Sequence, residues 1–79
     1  GHDVTLKIPM VVKVVPNMDK HEIGEGMNLT PCWTDGETYV DLMTEDGWTV
    51  RMGIDISDFP RTVNGIPEDE CFEELLYAG

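Results

Sequence analysis

The sequence predicts a small α+β protein, mostly β. We expect an antiparallel sheet or partly open barrel of four to five strands, built as a β-meander, with a C-terminal α-helix packed on it. Three observations carry this. Two Asp-Gly pairs, Asp35-Gly36 and Asp46-Gly47, bracket a segment rich in β-branched and aromatic residues. The N-terminal segment Val4–Val15 alternates apolar and polar positions, the period of a strand with one buried face. The tail from Pro67 onward has the acidic start and apolar stripe of a short helix.

The meander comes first because the others must pack on it. Gly supplies the positive φ that a tight turn requires, and Asp suits the turn position before it. Glu37–Thr44 and Trp48–Ile54 then read as two strands. A two-residue loop at Asp46-Gly47 would place Asp41 opposite Met52, inside an apolar face. A three-residue loop, Glu45-Asp46-Gly47, with a type I turn and a Gly bulge, pairs Thr44 with Trp48 instead. That register collects Val40, Leu42, Trp48, Val50 and Met52 on one face. It leaves Tyr39, Asp41, Met43, Thr49 and Arg51 on the other, with Asp41 across from Arg51. It is the favoured register because it avoids burying a carboxylate. Met27–Trp33, interrupted by Pro31, supplies the preceding strand.

Val4–Val15 reads as one long strand, with Val4, Leu6, Ile8, Met10, Val12 and Val14 facing inward. Pro9 has no N–H to donate, so the strand belongs at an edge or bulges near its middle, with Lys7 and Lys13 protecting the edge. Residues 16–26 form a polar connector, with room for a short helical turn over Met18–Ile23. Residues 55–66 read as an irregular crossing in which Ile56 and Phe59 enter the core. Asn64-Gly65 marks a turn between two short strands. The tail, Pro67–Gly79, is expected to be helical, with Glu68, Asp69 and Glu70 at the end favoured for negative charge and Gly79 closing it. Its stripe is Cys71, Phe72, Leu75 and Leu76.

At 79 residues the chain has room for one modest core. Gly1-His2 reads as a cloning remnant, with residues 3–79 forming a single domain. No apolar run is long enough for a transmembrane segment. Small domains are often stapled, so a Cys32–Cys71 disulfide is expected if the chain is exported. The net charge is −11, and nearly all of it falls after residue 34. Such a balance disfavours nucleic acid and anionic lipid, and permits basic partners.

Enzymatic chemistry finds no constellation. Ser57 lacks a nucleophile-elbow context, and His21 and the cysteines lie in different segments. Two cysteines and one internal histidine do not form a zinc site. The carboxylates of 35–41 and 45–55 miss calcium-loop spacing, and the methionines are dispersed. Neither a metal nor a cofactor is therefore expected.

Binding is what remains. The candidate ligand-binding residues are Trp33, Tyr39, Asp41, Met43 and Arg51, a mixed aromatic and charged face outside the predicted core. The expected function is a non-catalytic binding domain of a secreted or surface-anchored, bacterial protein, with a protein, peptide or glycan as ligand. The alternative is a small cytoplasmic acidic inhibitor that occludes a basic surface, as a nucleic-acid mimic does.

Overall fold

The structure, a computed structural model, describes residues 2–77. Among these the elements are β1 (Val4–Thr5), β2 (Met10–Val14), β3 (Asp19–Ile23), β4 (Asn28–Thr34), β5 (Tyr39–Thr44), β6 (Thr49–Asp55), β7 (Thr62–Val63), β8 (Ile66–Pro67) and α1 (Glu68–Cys71). The sheet order is β1-β4-β5-β6-β2-β3, with β7 on β6 and β8 on β7, all antiparallel. The mostly-β class and the short C-terminal helix are as expected. Several strands are shorter and more numerous than expected.

The β5–β6 hairpin adopts the three-residue register. Asp41 pairs with Arg51, Leu42 with Val50 and Met43 with Thr49. The Thr44 N–H donates to the Trp48 carbonyl at 2.8 Å, and Gly47 takes φ 92° at the bulge. Val40, Leu42, Val50 and Met52 are sealed from solvent. Trp48 departs from the expectation: the residue remains 46% exposed. It stands at the end of the core-facing row, where the indole packs against the His21 ring at 4.8 Å. That histidine belongs to β3, in the stretch read as a connector.

The N-terminal strand is broken, not continuous. Val4–Thr5 pairs with β4, while Met10–Val14 pairs with β3 and β6 on the far side of the meander. Pro9 lies in the break. Five Cα steps reach at most about 18 Å. Four interstrand gaps of a flat sheet span about 19 Å. The sheet therefore curls around its apolar face, although its outer strands β1 and β3 do not pair with each other. The inward phase is as read: Val4, Leu6, Met10, Val12 and Val14 are all buried, with Ile8 half-buried. The edge reading holds for the first half alone: β1 is an outer strand, whereas β2, after the break at Pro9, lies between β3 and β6 and β3 takes the other outer position.

Residues 19–23 form a strand and not a helical turn. Met18, at φ 62°, reverses the chain so that β3 lies along β2. The crossing after β6 holds the expected Asn64-Gly65 turn between β7 and β8. Ile56 and Phe59 do not enter the core; both are exposed.

The C-terminal helix is a single turn. Glu68 explains its brevity. Its carboxylate, 3% exposed, receives both Arg61 Nε and Nη2 at 2.8 Å and also the Leu76 N–H at 3.1 Å. Phe72 turns extended and bridges Leu6, while the Glu73 N–H donates to the Thr5 carbonyl. These contacts draw the chain out of helical geometry. Cys71, Phe72 and Leu76 are buried as the stripe predicts, but Leu75 is exposed. Gly1 and Gly79 lie outside the described residues.

The two cysteines are not bridged. Cys32 is exposed beside the β4 irregularity, its Sγ 3.4 Å from the Thr30 carbonyl. Cys71 is buried, its Sγ 3.7 Å from the carbonyls of Val63 and Ile66. Cys32 lies on an outward segment and Cys71 under β7 and β8, so the expected disulfide does not form.

Candidate functional site

The sheet register assembles the candidate residues. Trp33 of β4 pairs with Asp41 of β5, and Asp41 with Arg51 of β6. Arg51 pairs in turn with Lys13 of β2, and Lys13 with Lys20 of β3. One transverse row therefore crosses the outer face. Cross-strand neighbours on one face stand about 5 Å apart, close enough to act together.

Asp41 anchors this row. It was expected on an open polar face, yet only 7% of the residue is exposed. Arg51 compensates the burial: its Nε donates to Oδ1 at 2.7 Å and its Nη2 to Oδ2 at 3.0 Å. A two-point pair of this kind fixes both planes. The same guanidinium covers the Tyr39 ring, with its carbon 4.0 Å from the centroid. Asp41 holds the Arg51 charge above its already high ordinary pKa, first through the hydrogen bond and then through the Coulombic attraction.

Tyr39 passes this order on to Trp33. The indole Nε1–H donates to the Tyr39 hydroxyl at 3.0 Å, and Trp33 remains 61% exposed. Thr34 supports the same end, its hydroxyl donating to the Tyr39 carbonyl at 2.5 Å. Trp33 is thus a large apolar surface held in place without being buried. Met43, two residues beyond Asp41 on β5, is also exposed and continues the face beside Thr49 and Thr30.

On the other side of Arg51 the face sinks into a groove of about 450 Å³. Lys13, Lys20, Tyr39, Arg51, Val11 and Met18 line it. The sequence carries no local signal for this half of the site, because residues 19–23 have the polar composition of a connector and form a strand only against β2. Lys13 and Lys20 come together only once β3 exists.

The reactive groups elsewhere have structural partners. The Ser57 hydroxyl donates to Asp55 Oδ1 at 2.6 Å, which holds the Asp55 carboxyl below its ordinary pKa. Burial pushes the Cys71 thiol up to about 11. Asp35, at the first Asp-Gly turn, accepts from the Thr38 hydroxyl and from the Thr38 and Glu37 N–H groups. Among the described residues, no cluster of three His, Cys, Asp or Glu is placed to hold a metal, and no helix is long and apolar enough to cross a membrane. Compared with known protein families, curated proteins and solved structures, the chain gives no match.

Proposed function

We propose that the chain is a non-catalytic binding module of a secreted or surface-anchored, bacterial protein, and that its ligand is a protein, peptide or glycan. The observation that carries the reading is Trp33. A tryptophan left mostly outside the core, yet fixed by a relay through Tyr39, Arg51 and Asp41, is prepared for contact before any ligand arrives. Aromatic anchors dominate binding energy because they bury much area at little entropic cost, and rigid supports reduce that cost further. Met43 extends the same surface with a side chain that adapts to irregular partners.

The test is selection on a random-peptide display and a glycan array, with wild type and Trp33→Ala side by side. A module of this kind selects ligands whose binding falls at least tenfold in the variant. Selection of no ligand, or of ligands indifferent to Trp33, overturns the reading.

The two free thiols favour a second reading, a cytoplasmic acidic inhibitor, over an exported domain. Against it, the carboxylates of Asp35, Asp41, Asp55 and Glu68 are engaged within the fold. Cell fractionation of the full-length gene product separates the two placements.

A further inference from the structure

We propose that the groove beside Arg51 binds the carboxylate of a ligand with an aliphatic body, supplied by the C-terminal residue of a peptide or by a free branched-chain acid. The inference rests on the binding-module reading and names the chemistry of the site next to Trp33.

The first argument is electrostatic. The chain has 5 Lys and Arg against 16 Asp and Glu, yet Lys13, Lys20 and Arg51 line a single groove. Their backbones are directly paired, Arg51 with Lys13 and Lys13 with Lys20. Like charges placed opposite each other on one sheet face destabilise the pairing. Asp41 answers Arg51 alone; among the described residues neither lysine has a carboxylate within ion-pair distance. Glu22 lies on the same face of β3 but lines a neighbouring hollow with Pro9, Met10 and Val11. An arrangement that costs stability in the free protein, in a chain with acids to spare, marks a place where an anion is to be received.

The second argument selects the anion. The groove's volume suits a small ligand or one anchoring residue. Its apolar wall is Val11 and Met18, both substantially exposed. Gly53, which carries no side chain, also lines the groove. A saccharide needs an open aromatic face and neutral hydrogen-bonding groups, and the groove offers neither. Arg51 covers the Tyr39 ring. The Asn64 amide is engaged at both ends, its oxygen accepting from the Gly53 N–H at 3.0 Å and its nitrogen reaching the Val11 carbonyl at 3.4 Å. What remains is cationic heads beside aliphatic side chains. That combination receives a carboxylate on a leucine-like body.

The experiment is a titration of the isotope-labelled 79-residue chain, followed by backbone amide shifts. The probes are an N-acetylated tripeptide ending in leucine with a free carboxylate, the same peptide as its carboxamide, isocaproate, and a sulfated oligosaccharide. The expected result is saturable shifts at Lys13, Lys20, Arg51 and Gly53 with the free-acid peptide, and at least tenfold weaker binding of the carboxamide. Isocaproate binding as tightly as the peptide assigns the ligand to a free acid. Weaker binding by isocaproate assigns it to a peptide terminus. Lys13→Gln with Lys20→Gln is expected to abolish the shifts, whereas Lys7→Gln, whose Nζ reaches the Asp69 carbonyl outside the groove, leaves them in place. Equal binding of acid and carboxamide, no binding of either, or preference for the sulfated saccharide overturns the proposal. Display-selected ligands that need Trp33 but carry no carboxylate overturn it while leaving the binding-module reading intact.

Discussion

Arg51 grips Asp41 across the central hairpin at two points, 2.7 and 3.0 Å, and spreads the same guanidinium over Tyr39 at 4.0 Å. One side chain thus satisfies a buried carboxylate, covers an aromatic ring and presents its remaining donors toward the groove. Lysine keeps the charge but lacks the planar fork needed for all three tasks. Arg51→Lys is therefore expected to lower the melting temperature by about 4–8 °C, the shift that a loss of about 1 kcal/mol produces in a domain of this size. It is also expected to loosen Trp33 through Tyr39. Fluorescence anisotropy in a Trp48→Phe background reports on Trp33 alone, and an unchanged anisotropy in the Arg51 variant would break the proposed relay.

The second ion pair is structural. Glu68 is buried, holds Arg61 at two points and caps the Leu76 N–H. Removing one member of a buried pair strands the other charge, at a cost of about 3–5 kcal/mol. Glu68→Ala should show that loss in urea unfolding. Glu74→Ala, which removes an exposed partner of His2, should cost no more than about 1 kcal/mol. Comparable effects of the two substitutions would contradict the structure.

The thiols make a direct test of the free-cysteine arrangement. Cys32 is exposed, whereas Cys71 is buried and pushed up to about 11. Only the thiolate reacts quickly with an aromatic disulfide reagent. One equivalent should react at once at neutral pH, and the second only when denaturant is added. No release from the unreduced protein, with two equivalents after reduction, would restore the disulfide.

Much of the hairpin was legible because local chemistry determined it. The Gly47 bulge and the alternation through Val40, Leu42, Val50 and Met52 left one register that separates apolar from charged residues, and it is the one observed. The same register placed Asp41 opposite Arg51 and so brought half of the candidate site together. What escaped was decided by distant contacts. Asp-Lys-His-Glu has little strand character alone, and β3 forms because β2 offers it an open edge. With β3 unseen, the lysine half of the groove and the His21 support for Trp48 were unseen too. The helix is shorter than the tail's pattern predicts for a similar reason: the tail's acids suit a helix start, but Arg61 claims Glu68 and Leu6 claims Phe72.

The remaining prediction concerns acid. Asp35 is held well below the usual carboxylate range, first by the Thr38 hydroxyl and then by the Thr38 and Glu37 N–H groups. All of these favour the ionised form, so the folded pKa lies below the unfolded one. With a depressed pKa, the contribution to stability is fully present above the unfolded value, about 3.9. It is lost as the pH falls from there through the folded value. Asp35→Asn retains an oxygen acceptor but loses the charge, and should make the β4–β5 turn insensitive to this titration. Carboxyl-carbon shifts followed by NMR should show Asp35 still ionised at a pH where an unperturbed aspartate is half protonated. A midpoint near the ordinary value would mean that the turn does not grip the carboxylate, and that the end of the sheet holding Trp33 is looser than the structure has it.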